Sequence, residues 1–151
     1  MIIEKFSLSE TNPAVTLTAY ISGEINNASR PAVLICPGGG YRICAFLEGE
    51  PYAREFCARG YNCFVLEYSV MGAARFPTQL IEASLAMKFI RDNAEKYGTN
   101  KDEIFVIGSS AGGHLAAMLG TMWHKNFIYD ATDMPYGYYK PRGMILCYPV
   151  I

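Results

Sequence analysis

A serine at the centre of a glycine-flanked pentapeptide is the residue best suited to covalent chemistry. The pentapeptide GSSAG occupies 108–112, with Ser110 at its centre, between the apolar run 104–107 and the helix-like run 114–119. A G-x-S-x-G pattern between a strand and a helix is typical of a nucleophile elbow, a sharp turn that exposes the serine hydroxyl. The two outer glycines omit Cβ atoms that would collide with the neighbouring strand and helix. We therefore predict that Ser110 is a nucleophile; the alternative is a glycine-rich turn with a buried, inert serine.

The helix that follows Ser110 predicts the first stabilising group for a negatively charged intermediate. Free N–H groups and the positive end of the helix dipole lie at a helix N-terminus, where they face an oxyanion formed at the serine. The N–H of Ala111 is the first such donor in the chain. We predict that it belongs to an oxyanion hole.

A glycine triplet upstream predicts the rest of that oxyanion hole. The buried-strand pattern at 31–36 runs into Pro37 and then into Gly38, Gly39 and Gly40. Consecutive glycines allow a backbone to approach a substrate oxygen closely and to direct N–H groups at it. We predict Gly39 and Gly40 as donors. A glycine triplet alone is more often a flexible turn, and the two motifs in this order are the stronger indication.

The two residues after the triplet are candidates for substrate contact. Tyr41 and Arg42 directly follow the glycines, and we predict that both touch a substrate. Arg42 is equally consistent with a solvated or salt-bridged loop residue. A cysteine nucleophile at Cys44 is disfavoured, because no histidine is placed by the sequence to activate it.

Four segments together resemble a known family. They are 36–41 (CPGGGY), 64–69 (FVLEYS), 108–116 (GSSAGGHLA) and 145–150 (ILCYPV). They look like the bacterial acetylxylan-esterase-like branch of the α/β-hydrolases, over nearly the whole chain. The resemblance implies deacetylation of short sugar oligomers by a serine-histidine-acid triad, with no cofactor. It also supports Ser110 as nucleophile and three oxyanion donors, Gly39, Gly40 and Ala111.

The triad partners are not evident in these residues. In α/β-hydrolases the acid and the histidine follow the serine, on loops after later strands. The chain has two histidines, His114 and His124, and neither occupies that place. His114 is expected to be packed and hydrogen-bonded within the serine's own helix, and His124 to lie near the helix end. The sequence therefore predicts an N-terminal portion that is inactive by itself; the alternatives are a non-catalytic remnant or an esterase, lipase or peptidase of other substrate class.

The elements that position these motifs alternate between strands and helices. We predict strands at 2–9, 14–22, 31–36, 61–68, 104–107 and 143–149, and helices at 48–58, at 79–97 and after Ser110. This order predicts one α/β domain over 1–151: an α/β-hydrolase-type three-layer sandwich with a mostly parallel sheet, helices on both faces, incomplete at its C-terminal side. The last strand is apolar throughout and has a free edge, so we expect self-association near 144–149.

The segment between the serine's helix and the last strand has a different composition. Residues 123–142 contain six aromatic side chains among polar residues and turn formers. Aromatic faces stack on sugar rings, so one interpretation is a carbohydrate-facing wall. The favoured interpretation is that these side chains cover the core beneath a long loop, because aromatic residues more often serve packing.

Charge and cysteine content exclude several function classes. Thirteen basic and fourteen acidic residues, without a basic cluster, predict neither a nucleic-acid nor a membrane partner. The five cysteines have no metal-ligand spacing and no disulfide framework, so no metal is expected. The N-terminus lacks the pattern of a signal peptide, which favours the cytoplasm. The expected partner is a small ester, in particular an acetylated oligosaccharide.

Overall fold

Six strands of the computed structural model, which describes residues 1–23 and 29–151, form one mixed sheet. They are β1 (Ile2–Ser7), β2 (Thr16–Ile21), β3 (Arg30–Cys36), β4 (Asn62–Glu67), β5 (Thr99–Ser109) and β6 (Gly143–Cys147). The strand order is β1-β2-β4-β3-β5-β6. The β1–β2 and β2–β4 pairs are antiparallel, and the other three neighbouring pairs are parallel. The predicted opening antiparallel pair and mostly parallel sheet are confirmed.

Five helices pack on the two faces of this sheet within the described residues. They are α1 (Glu50–Cys57), α2 (Thr78–Asp92), α3 (Ala94–Tyr97), α4 (Ala111–Met122) and α5 (Asn126–Thr132). In β3, Leu34 faces the core cluster that contains the buried side chains of α2 and α4. Its neighbours Val33 and Ile35 face a second cluster, formed with Ala53 and Cys57 of α1. Since successive strand residues point to opposite faces, one buried strand serves both layers, and the three-layer sandwich is confirmed.

The long helix predicted over 79–97 is in fact two helices. At Asn93 the backbone leaves the helical region, with φ −102° and ψ 14°. The Asn93 side chain donates a hydrogen bond to Phe89 O at 2.8 Å, and the Asn93 backbone N–H donates to the same oxygen at 3.1 Å. An asparagine side-chain amide that binds a helix carbonyl in this way competes with the backbone hydrogen bonds of the helix. Gly98, with φ 59°, ends α3 where the sequence predicted the end.

The strand that leads to Ser110 begins earlier than predicted. Residues 99–103, expected to be a loop, form the first half of β5. Thr99 pairs with Arg30, and the register shifts between Arg30 and Ala32. Regular pairing resumes at Ile104, opposite Ala32, so the polar residues 100–103 lie in an irregular part of the strand between two paired positions.

The last strand is more exposed than predicted. β6 pairs with β5 at one end of the sheet, and its Met144 and Ile145 side chains are 43% and 42% exposed. The expectation that this strand is buried on both faces is wrong, because among the described residues α4 alone packs closely against it. Self-association near 144–149 stays a prediction; a monomer in light scattering at micromolar concentration would contradict it.

The aromatic segment at 123–142 covers the core of the α2–α4 layer. It contains α5, and Tyr139 is fully buried in the main cluster. The ring of Tyr139 lies 5.1 Å from that of Tyr129, and Trp123 lies 5.5 Å from Tyr136. The favoured interpretation as a core cover therefore describes most of these side chains. None of the described helices has the length and apolar character needed to cross a bilayer.

Candidate active site

Ser110 lies at the apex of a sharp turn between β5 and α4. Its backbone has φ 52° and ψ −117°, a conformation that residues other than glycine rarely adopt. The Ser110 N–H donates to Cys147 O at 3.0 Å, and Ser110 O accepts from the N–H groups of His114 and Val150. The surrounding structure thus holds a strained backbone in place, as a nucleophile elbow requires.

The glycines on either side of Ser110 are required by close backbone contact. A Cβ placed on Gly108 would overlap the carbonyl of Gly112, and a Cβ placed on Gly112 would overlap the carbonyls of Cys36 and Pro37. These contacts bring the start of α4 directly against β5 and against the end of β3. The collisions that the sequence predicted for Cβ atoms at these two positions are therefore present in the structure.

In the glycine loop two carbonyl groups are engaged, those of Gly38 and Gly39, while the amides of Gly39 and Gly40 are free of protein acceptors among the described residues. Gly38 O accepts from Ala45 N at 2.8 Å, and Gly39 O accepts from the N–H groups of Arg42 and Ile43. In a trans peptide the N–H points away from the C=O, so the N–H groups of Gly39 and Gly40 point away from these bonds. Neither amide has a protein acceptor within residues 1–23 and 29–151.

The loop and the elbow are in direct contact. A Cβ placed on Gly38 would lie 3.1 Å from Ser110 Cβ and 2.7 Å from Ser109 O. Ala111, the first residue of α4, is buried, and its N–H has no protein acceptor in the described part of the chain. The structure thus brings together the segments that carry the predicted nucleophile and the predicted donors. Their roles in catalysis stay predictions.

Tyr41 connects the loop to the elbow helix. Its hydroxyl lies 2.8 Å from His114 Nδ1, and the two rings meet edge to face at 5.9 Å. Burial raises the pKa of Tyr41 to about 12, so the phenol stays protonated at neutral pH. Arg42 is exposed. Contact of Tyr41 and Arg42 with a substrate stays a prediction.

A small apolar cavity lies beside this Tyr41–His114 pair. It has a volume of about 190 Å³ and is lined by Tyr41, Ala74, Phe76, Gln79, Leu80, His114 and Met118. It is bounded by the residue after the glycine triplet and by the helix that begins after Ser110. His114, which lines the cavity, follows Ser110 by four residues, about one helical turn.

The histidines are engaged away from the serine. His114 is half-buried and paired with Tyr41, as the sequence predicted for a packed, hydrogen-bonded residue. His124 follows α4 and packs edge to face on Trp123, with ring centroids 5.6 Å apart. Within the described ranges, Ser110 Oγ has no hydrogen-bond partner. Neither histidine ring is therefore hydrogen-bonded to the Ser110 hydroxyl.

The remaining nucleophile and metal candidates are weak. Burial raises the pKa of the Cys44 thiol to about 11, so this cysteine is a thiol at neutral pH. All five cysteines are free. Among the residues that the structure describes, no group of three or more His, Cys, Asp or Glu side chains is placed to hold a metal ion.

One carboxylate at the site was not singled out from the sequence. Glu48 Oε2 accepts a hydrogen bond from Gly38 N–H at 2.7 Å, and Glu48 Oε1 accepts from Tyr148 Oη at 2.9 Å. Glu48 lies ten residues after Gly38 and a hundred before Tyr148. No local spacing signals such a contact, and only the folded chain reveals it.

Comparison with known proteins agrees with this geometry. The chain matches the BD-FAE family profile over residues 19–140. It is 37% identical over 140 residues to Endo-1,4-beta-xylanase B of Butyrivibrio fibrisolvens, covering 89% of this chain and 21% of that protein. It is 31% identical over 127 residues to the acetylxylan esterase of Xylanibacter ruminicola, covering 83% of this chain and 24% of that protein.

A solved structure with the same fold is MGS-M1, an α/β hydrolase enzyme from a Medee basin deep-sea metagenome library. It superposes with a TM-score of 0.84 at 41% identity, over 100% of this chain and 58% of that one. The chain thus spans about a quarter or less of the two curated relatives and little more than half of this structural relative. Because the family profile covers most of its residues, the chain belongs to the BD-FAE family and has the α/β-hydrolase fold.

Proposed function

We propose that this chain carries the nucleophile and the oxyanion hole of a carboxylic ester hydrolase that deacetylates xylan or other sugar oligomers. The observation that carries the proposal is the strained turn at Ser110, with Gly38 packed against its Cβ. The names of two relatives, a xylanase and an acetylxylan esterase, support the class of substrate.

In the proposed reaction Ser110 Oγ attacks the acyl carbon of the ester. The carbonyl oxygen becomes an oxyanion, which accepts hydrogen bonds from the N–H groups of Ala111, Gly39 and Gly40. Collapse of this intermediate breaks the ester C–O bond and expels the sugar oxygen. A general base carries the proton that Ser110 loses on attack to this oxygen, which leaves as the alcohol. Water then cleaves the acetyl-serine ester and releases acetate. Each oxyanion donor contributes about 10²–10³-fold to the rate in known hydrolases.

We further propose that the general base and the acid lie outside these 151 residues. His114 is paired with Tyr41, and His124 packs on Trp123. An oxyanion hole and a binding site without a complete triad retain about 10³–10⁴-fold acceleration over water. The 151-residue chain is therefore expected to be a slow catalyst, whose residual rate depends on the oxyanion donors and on binding.

Hydrolysis of p-nitrophenyl acetate by the chain and by Ser110→Ala tests this proposal. We expect slow release of p-nitrophenol, above the buffer rate, that changes little in Ser110→Ala, because no base within the chain activates the serine. Ser109→Ala is the matched control, because Ser109 is adjacent and buried, and we expect it to keep the wild-type rate. A wild-type rate equal to the buffer rate would support the non-catalytic alternative. Turnover at ordinary enzyme rates that is lost in Ser110→Ala but kept in Ser109→Ala would show that the base lies within the chain.

Release of acetate tests the substrate class separately. Acetylated xylo-oligosaccharides and p-nitrophenyl butyrate are compared with p-nitrophenyl acetate on the same protein. Acetate release from the oligosaccharides above the buffer rate supports the carbohydrate substrate. Activity confined to the p-nitrophenyl esters would favour an esterase of other substrate class.

A further inference from the structure

One carboxylate holds the peptide unit that leads into the glycine loop. Glu48 belongs to the short 3₁₀ turn Phe46–Glu48, and its Oε2 accepts from Gly38 N–H at 2.7 Å. Gly38 is buried, and a Cβ placed there would overlap this Glu48 oxygen. The carboxylate therefore lies directly against the backbone of the loop.

The 37–38 peptide unit is fixed at both of its polar ends. Its carbonyl, Pro37 O, accepts a hydrogen bond of 2.5 Å from Tyr68 Oη, while its N–H is bound by Glu48. A rotation of this peptide plane would break both bonds at once. Because the Gly38 N–H is already engaged, it is not one of the oxyanion donors, which leaves those of Gly39 and Gly40.

The same carboxylate also reaches the chain that supports Ser110. Its second oxygen, Oε1, accepts from Tyr148 Oη at 2.9 Å. Tyr148 directly follows Cys147, whose carbonyl accepts the Ser110 N–H at 3.0 Å. One side chain thus connects the loop to the segment that holds the serine backbone.

The negative charge of Glu48 has a structural use at this place. A carboxylate near an oxyanion opposes it through space, so the charge must serve another purpose here. A carboxylate is the strongest side-chain acceptor for a backbone N–H, and Glu48 uses both oxygens as acceptors. It therefore holds the loop through an amide other than the two that are free.

We propose that Glu48 is a positioning residue, whose carboxylate fixes the 37–38 peptide so that the Gly39 and Gly40 amides face the oxyanion. The catalytic part of this inference rests on the proposed ester hydrolysis. Glu48 acts through the loop and does not contact the reacting atoms.

Amide hydrogen exchange by NMR tests the position without requiring activity. In Glu48→Ala we expect exchange at Gly38 to accelerate about tenfold or more, since the amide loses its acceptor. Glu48→Gln should restore most of the protection, because its side-chain oxygen still accepts from Gly38. Glu50→Ala is the matched control: Glu50 pairs with Arg54 on α1, and its loss should leave Gly38 unchanged. Unchanged exchange at Gly38 in Glu48→Ala would overturn the proposal.

Hydrolysis of p-nitrophenyl acetate by the same proteins tests the consequence. We expect kcat to fall about tenfold to a hundredfold in Glu48→Ala with little change in KM, because misplaced donors act on the transition state. Glu48→Gln should recover most of this loss. Faster exchange with an unchanged kcat would overturn the positioning role. A wild-type rate equal to the buffer rate would instead overturn the proposed function. The exchange data would still show whether Glu48 holds the Gly38 amide.

Discussion

The elbow and the glycine loop both contain closely spaced glycines, but for different physical reasons. At the elbow, Cβ atoms on Gly108 and Gly112 would overlap backbone carbonyls. In the loop, a Cβ on Gly40 would meet no heavy atom within 4 Å, yet its φ is 63°. Glycine is required for space at the elbow, as it is at Gly38 and Gly39 of the loop, whereas Gly40 requires it for backbone conformation.

The two regions are also stabilised in different ways. The elbow is held by packing of β5 and α4 against each other and against the end of β3. The loop, whose Gly40 is exposed, is held by hydrogen bonds to its carbonyls and by Glu48. The packed turn has no room for an added atom, whereas the exposed Gly40 has room for a side chain that adopts positive φ.

The largest expected effect is that of Gly112→Ala. The added methyl would overlap the carbonyls of Cys36 and Pro37, so we expect a loss of about 3 kcal/mol or more in the free energy of unfolding. Urea denaturation measures it. Gly72→Ala is the control, because nothing lies within 4 Å of its added methyl, and it should change stability by about 0.5 kcal/mol or less. Similar midpoints for the two variants would contradict the packing explanation.

A smaller effect is expected when the strain at Ser110 is released. Ser110→Gly and Ser110→Ala both remove the hydroxyl, but only glycine adopts φ 52° without cost. We expect the glycine variant to be more stable than the alanine variant by about 1 kcal/mol in thermal or urea unfolding. A glycine variant no more stable than the alanine variant would show that the turn stores no strain.

The smallest effect is expected at Gly40. Gly40→Ala forces a Cβ into the left-handed region and should cost about 1 kcal/mol, whereas Gly40→Asn should cost less because asparagine tolerates that region. Urea unfolding of both variants ranks them. Losses as large as that of Gly112→Ala would remove the distinction between the loop and the elbow.

Local patterns in the sequence predicted most of the fold. Alternating and continuous apolar runs placed all six strands, and Gly98 marked the end of α3. Two errors had tertiary causes. Because Thr99 pairs with Arg30 of β3, β5 includes the polar residues 99–103. The long helix is divided at Asn93, whose side-chain amide binds Phe89 O. Neither effect alters the spacing of apolar residues, from which the strands and helices were predicted.

The sequence by itself determined the nucleophile candidate, its flanking glycines and the glycine triplet, because each depends on residue type within a few positions. Only the tertiary structure decided that Gly38 packs on Ser110, that Tyr41 pairs with His114, and that Gly38 is bound by a carboxylate. These contacts join residues from separate elements, as far apart as Glu48 and Tyr148. Local spacing carries no information about them, since folding of the sheet brings the residues together.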